Sequence, residues 1–355
     1  MSARMEGLPD YFKESVMERD DIIIRNAVLH ILDSSVGMPV LSDSLLESSP
    51  DLNDFLRAHI YRLLSGDELK QCEFDTENSE VYALLKEFEE EALIPVSKEL
   101  AGRLYTILNA NIEIPAGDVF FVTFQLQSGF HLAILKMNYK EVYVHYTSLG
   151  EQEENINEVM RQTAALPLAG GTLAEAVLID LSDRSVRLVE KKFPVNGEKV
   201  NYLSELFLQC HAKLSQKTKL DLVAKAVEQI HKKYYDGDFE QKMKAKSVLH
   251  EECAKNDGAI RVEELTEKVF QEAPPEVKEE FVEKLEKYRL PKEEIRLQSE
   301  KTTKKFEKQY LTTDSGIEIN IPMEEYHNKQ HVEFITNPDG TISVLIKNVN
   351  RITSK

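Results

Sequence analysis

The sequence predicts an α+β protein: helices over an antiparallel sheet in the N-terminal part, a helical bundle-like second part, and a short C-terminal β-hairpin. Three observations predict it. Between Gly117 and Glu190, β-branched and aromatic runs are joined by tight turns, the spacing of hairpins rather than of crossovers. From Tyr202 to Tyr288, apolar residues recur at three and four, the helical period. The tail then returns to short alternating runs, and 355 residues exceed what one small core accommodates.

Taken in order, Ile22 to Leu32 reads as a strand bounded by acids, Asp21 and Asp33, followed by a turn near Gly37 and Pro39. Ser49-Pro50-Asp51 starts a helix with Leu52, Phe55, Leu56, Ile60, Leu63 and Leu64 on one face. A second helix is expected from Ser79 to Leu93, halting at Pro95, and a third from Ser97 to Asn111. Val119–Leu126, Phe130–Lys136 and Glu141–Tyr146 are expected to pair in sequence as a meander, with a short helix over Asn155–Ala165. Glu175–Asp180 and Ser185–Glu190 form another hairpin. Helices then follow over 202–214, 220–234, 239–254, 262–270 and 277–288. Gly316–Ile321, Val332–Ile335 and Thr341–Ile346 are strands, the last two joined by an Asn337-Pro-Asp-Gly340 turn. The expected division is 1–195 for the mixed part with its sheet, 196–310 for the helical part, and 311–355 for a β segment packing on the rest.

A globular balance, 42% hydrophobic and 30% charged with 14 Gly and 12 Pro, excludes a collagenous, wholly disordered or disulfide-scaffold chain. The longest apolar run, Val119–Leu126, is too short to span a bilayer and is interrupted by Thr123 and Gln125. No apolar stretch follows Arg4, so a secretory signal is not expected. Cys72, Cys210 and Cys253 are odd in number and far apart, fitting reduced thiols in a cytoplasm.

Charge is uneven. The whole chain is at −18, yet residues 1–189 hold 15 basic and 32 acidic side chains, residues 190–310 hold 25 and 24, and residues 311–355 hold 4 and 6. Net negative charge opposes nucleic acid, so contact with DNA is expected only through a patch in 190–310. That region carries Lys213, Lys217, Lys219, Lys225, Lys232, Lys233, Lys242, Lys244 and Lys246, with Tyr234 and Tyr235 between them. A second cluster, Lys301, Lys304, Lys305 and Lys308, surrounds Phe306. Lysines on a helix face can neutralise phosphates without reading bases; the bland alternative is a solvated face balanced by nearby acids.

Catalytic signals are sparse. Neither a phosphate-binding glycine loop nor a Gly-x-Ser-x-Gly elbow occurs. His327 with His331, and His250 with Cys253, give two ligands each, short of a tetrahedral metal site. Asp180, Glu190 and Lys192 resemble the Asp…Glu-x-Lys layout of Mg²⁺-dependent nucleases, in which paired carboxylates hold the cation. In a chain this rich in acid and lysine, such spacing also arises by chance.

Asp21–Asp33, Ala174–Leu181 followed by Lys199–Leu208, and the tail segments Gly316–Ile321, Val332–Ile335 and Asn337–Gly340, in this order and spacing, resemble the bacterial nucleoid-associated protein family, the NdpA- or YejK-like proteins. The resemblance spans roughly residues 20–350 and rests on collinearity. It implies a cytoplasmic protein found at the nucleoid with the bacterial chromosome, without established enzymatic activity, cofactor or catalytic residues to carry over. The expected function is therefore non-enzymatic, sequence-nonspecific binding to chromosomal DNA or to DNA-bound proteins. The alternatives are the nuclease and an acidic interaction module that occupies a basic DNA-processing partner. Exposed hairpins are compatible with a homodimer.

Overall fold

A computed structural model of the chain describes residues 17–127, 129–149, 151, 153–235, 239–255, 259–326 and 328–353. The chain divides into two units, Met1–Leu214 and Ser215–Lys355.

In the first unit the elements run β1 (Ile22–Leu32), α1 (Pro50–Leu64), β2 (Lys70–Phe74), α2 (Glu80–Leu85), α3 (Leu93–Ala110), β3 (Gly117–Leu126), β4 (Gly129–Asn138), β5 (Lys140–Leu149), β6 (Asn155–Ala165), β7 (Glu175–Asp180), β8 (Val186–Val189), β9 (Phe193–Val195), β10 (Glu198–Val200) and β11 (Cys210–Ala212). Seven strands form one antiparallel sheet in the order β1-β3-β4-β7-β8-β2-β11. Its central strands are apolar on both faces because both are covered. On one face Val119, Phe121, Leu132, Ile134, Val177 and Ile179 pack with Leu100, Leu104 and Leu108 of α3. On the other, Phe120, Val122, Ala133, Leu135, Ala176 and Leu178 pack with Leu56, Ile60 and Leu63 of α1. Ser49 caps α1 as expected, its hydroxyl accepting from the Leu52 N–H at 3.2 Å, with Pro50 in the first turn. Gly117 lets β3 approach β4, because a Cβ there would lie 2.5 Å from the Met137 carbonyl oxygen.

Several expectations are corrected. Pro95 does not stop a helix: it sits in the first turn of α3, where no helical hydrogen bond is lost. Helix Glu80–Leu85 is accordingly short. The meander breaks after β4, whose free edge pairs with β7. Buried on both faces, that position suits Ala176-Val-Leu-Ile179 and excludes β5 with its Glu141, His145 and Thr147. Residues 155–165 are not helical but form β6, because cross-strand pairing with β5 overrides weak local propensity. Residues 203–208 make a π-helical turn, and β11 closes the sheet edge on β2.

Elements of the second unit are α4 (Gln216–Tyr234), α5 (Phe239–Lys255), β12 (Ala259–Arg261), α6 (Val262–Val269), α7 (Pro275–Glu286), β13 (Glu294–Arg296), α8 (Glu300–Glu307), β14 (Lys308–Thr312), β15 (Glu318–Pro322), α9 (Met323–Tyr326), β16 (Val332–Thr336) and β17 (Ile342–Ile346). Leu220, Val223, Val227 and Ile230 of α4 are buried, as their spacing predicts, and Ser215 caps the helix. Phe270 and Phe281 meet in this core with ring centroids 5.0 Å apart and planes inclined at 53°. The expected hairpin forms as β16–β17, Gly340 taking φ +83° in its turn. No described helix is long and apolar enough to cross a membrane.

One buried titratable group couples the first unit to pH. The Ser42 N–H donates to Nδ1 of His30 at 3.0 Å, which leaves Nε2–H to donate to the Ser97 hydroxyl at 3.0 Å. Burial, assisted by the Lys98 charge, pushes the His30 pKa down to about 4. A histidine depressed in the folded state protonates first in the unfolded chain. Stability is therefore present above about pH 6.5 and falls until about pH 4, by up to ~3 kcal/mol for a shift of this size. Urea titrations at pH 7 and pH 4.5 should show a larger acid loss for wild type than for His30→Gln; equal losses would contradict it.

Candidate nucleic-acid interface

The predicted lysines separate into four groups. Lys213 belongs to the first unit, next to β11, and pairs with Glu73 at 2.5 Å. Lys219 pairs with Glu293 and Lys233 with Glu280, each at 2.5 Å, and Lys244 with Glu272 at 3.3 Å. The Glu280 hydrogen bond raises the Lys233 ammonium above its ordinary value and lowers the carboxyl in turn. Glu280 also accepts from the Tyr234 hydroxyl at 2.7 Å, so the tyrosine is turned toward α7. Around it α7 carries Glu276, Glu279 and Glu283, a local field that opposes phosphate.

Lys217, in the first turn of α4, is half-buried. The side chains of Lys242 and Lys305, like those of Cys253 and Phe306 and the whole of His327, lie outside the described residues. The remaining six, Lys225, Lys232, Lys246, Lys301, Lys304 and Lys308, are exposed. Lys225, Lys232, Lys301 and Lys308 stand outside any ion pair among the described residues. They occupy α4, α8 and the first residue of β14, and α5 packs against both α4 and α8. The fold thus joins in one unit two clusters that lie far apart in sequence. The surface is selective in charge rather than uniformly basic: residues 215–355 hold 25 basic and 27 acidic side chains, against 19 and 35 in residues 1–214.

Asp180 and Glu190 are not brought together. Ala176 lies opposite Val189 and Ile179 opposite Val186, so Glu190 sits at one end of the hairpin and Asp180 at the other, about 16 Å apart at ~3.3 Å per residue. Strand alternation also puts Asp180 on the face of Ala176 and Leu178, and Glu190 on that of Val186 and Leu188. Burial pushes the Asp180 carboxyl up, but hydrogen bonds from Ser182 outweigh it and hold it below its ordinary value. The Glu190 side chain is fully buried and accepts from Lys70 Nζ at 3.0 Å and from the N–H and hydroxyl of Ser204 at 3.0 and 2.9 Å. It anchors the π-helical turn. Lys192 is exposed beyond the strand. The pair cannot share a cation.

A second buried constellation escaped the sequence. Lys136 on β4 and Glu175 on β7 are 2% and 0% exposed. The ammonium donates to Glu175 Oε2 at 2.8 Å, to the Pro115 carbonyl at 2.9 Å and to Asn138 Oδ1 at 2.5 Å, which uses all three of its protons. Asn138 Nδ2 donates to the same carboxylate oxygen at 3.0 Å. Burial lowers the Lys136 pKa although Glu175 opposes the shift, and burial together with the Glu175 charge raises that of the Tyr202 phenol. The two partners are 39 positions apart, and only the β4–β7 register brings them opposite.

No curated protein matches the chain significantly. The model of the family described as nucleoid-associated protein YejK matches residues 28–353, so it reaches through both units, and the chain belongs to that family.

Proposed function

We propose that the chain associates with the bacterial chromosome at the nucleoid, in the cytoplasm, holding duplex DNA independently of sequence and doing no chemistry on it. The observation that carries this reading is the set of four exposed lysines that stand outside any ion pair among the described residues, Lys225 and Lys232 on α4, Lys301 on α8 and Lys308 on β14. Lysine presents a point charge to phosphate oxygens and carries no base-specific geometry, so binding of this kind is tolerant of sequence and steeply dependent on salt. The near balance of charge in the second unit, against the acid surplus of the first, directs the approach of a polyanion to these helices. That same surplus supports a second mode, encounter with a basic DNA-bound protein through the first unit.

The test is binding of the full chain to labelled duplexes of unrelated sequence at about 50 mM salt, together with incubation of supercoiled plasmid with Mg²⁺. Equal affinities and an intact plasmid are expected. Absence of duplex binding would overturn direct contact, and nicking would overturn the non-enzymatic reading. A basic protein that co-purifies after nuclease treatment of the lysate would establish the second mode.

A further inference from the structure

The hairpin β14–β15 has two unlike faces. Its register sets Lys308 opposite Pro322, Tyr310 opposite Asn320 and Thr312 opposite Glu318, and these residues share one face and are all exposed. On the other face Gln309 and Ile321 are buried, and Leu311 and Ile319 are half-buried. The hairpin is therefore seated by its second face and turns the first to solvent. On that polar surface Tyr310 is a large aromatic ring at 67% exposure. The other tyrosines of the second unit are engaged or set among acids. Tyr234 donates to Glu280. Tyr235 and Tyr326 rest against His231 and Phe334 with ring centroids 5.4 Å apart, and Tyr288 follows α7 with its glutamates. Beside Tyr310 the charge is of the opposite sign. Lys308 lies on the same face two residues away, about 6.6 Å along the strand. Lys301 is on α8, which ends where β14 begins and packs against it. Glu318 sits at the far end of the face from Lys308, opposite Thr312.

We infer that Tyr310 stacks an unpaired base of single-stranded DNA while Lys308 holds the adjoining phosphate. The inference rests on the DNA-binding reading above and names a form of DNA that this face takes. A base inside a duplex is already stacked on its neighbours and offers no free ring face, whereas an unpaired base does. Aromatic rings on a sheet surface, flanked by cations, are a recurring platform for such bases. The spacing of Lys308 and Tyr310 lets one nucleotide set its phosphate on the ammonium and its base on the ring. Asn320, directly across the pair from Tyr310, offers an amide to the edge of that base. Every base has a π-face, so stacking adds affinity for unpaired strands without adding a sequence preference.

Binding of the full chain to a labelled oligothymidylate of about 16 nucleotides, and to a duplex of the same length, tests the inference. Tyr310→Ala is expected to weaken single-strand binding by at least about 5-fold, the loss of one base–aromatic stack. The same variant should leave duplex affinity unchanged, which also reports that it is folded. It should leave the salt dependence on both probes unchanged, because the ring carries no charge. Tyr310→Phe keeps the ring and is expected to bind the single strand as wild type does. An equal loss on both probes, or a single-strand affinity that Tyr310→Ala does not alter, would overturn the inference and leave the duplex reading standing. Failure of Tyr310→Phe to retain single-strand binding would overturn it as well. Tighter binding of the matching oligouridylate would assign the face to RNA instead. A wild-type chain that binds neither DNA probe would overturn both this inference and the reading on which it rests.

Discussion

Glu175→Ala is expected to destabilise the first unit by about 3–5 kcal/mol, the cost of leaving a buried ammonium without its counter-charge. Lys136 is 2% exposed, and its other acceptors, the Pro115 carbonyl and Asn138 Oδ1, are neutral. Water cannot reach the ammonium, so the variant must either bury an unpaired charge or release a proton from the lysine. The double replacement Lys136→Met with Glu175→Leu removes both charges and both desolvation penalties. Its expected cost is within about 1–2 kcal/mol of wild type, since well-packed apolar pairs substitute for buried ion pairs with little loss. Urea unfolding of wild type, Lys136→Met, Glu175→Leu and the double variant closes a cycle that isolates the pair, with Glu175→Ala measured beside it. A loss below about 1 kcal/mol for Glu175→Ala would mean that the pair is open to solvent.

Reversing Lys225, Lys232, Lys301 and Lys308 together to Glu is expected to weaken DNA binding by about 4 × 10³-fold at 0.1 M salt. Each lysine–phosphate contact releases close to one condensed counterion, which contributes about 0.9 logarithmic units at that concentration, and four contacts are removed. The paired lysines supply the control. Lys213 neutralises Glu73 within the first unit, so Lys213→Glu is expected to change affinity by no more than about 2-fold, as for a surface charge away from the contact. A control variant as weak as the fourfold one would show that net charge, and not this set of residues, governs the encounter.

Elements with local signals were legible in the sequence, and those that depend on distant partners were not. Ser49-Pro50 announces α1 and Asn337–Gly340 announces the β16–β17 turn, because caps and turns are decided within four residues. By contrast β2, Lys70-Gln-Cys-Glu-Phe74, carries three polar residues in five and becomes a strand only between β8 and β11, whose sequences lie more than a hundred positions away. β6 was missed for a different reason: its partner β5 is adjacent in the chain, but Asn155, Asn157, Glu158 and Gln162 give the segment little strand propensity of its own. For the candidate interface, the lysines were readable as residues but their neutralisation was not. Glu280, Glu293 and Glu272 reach Lys233, Lys219 and Lys244 from other elements of the second unit. Family membership was legible because it rests on the order of many such segments along the chain, and it now extends over residues 28–353.

Fluorescence anisotropy of a labelled duplex, followed from about 50 to 200 mM salt, reads the electrostatic contact itself. If the four lysines outside ion pairs meet phosphates, the logarithm of affinity should fall against the logarithm of salt with a slope of about −3.6, and the fourfold variant should lose most of that dependence. A shallow wild-type slope, or one that the fourfold variant leaves unchanged, would place DNA elsewhere than on α4, α8 and β14.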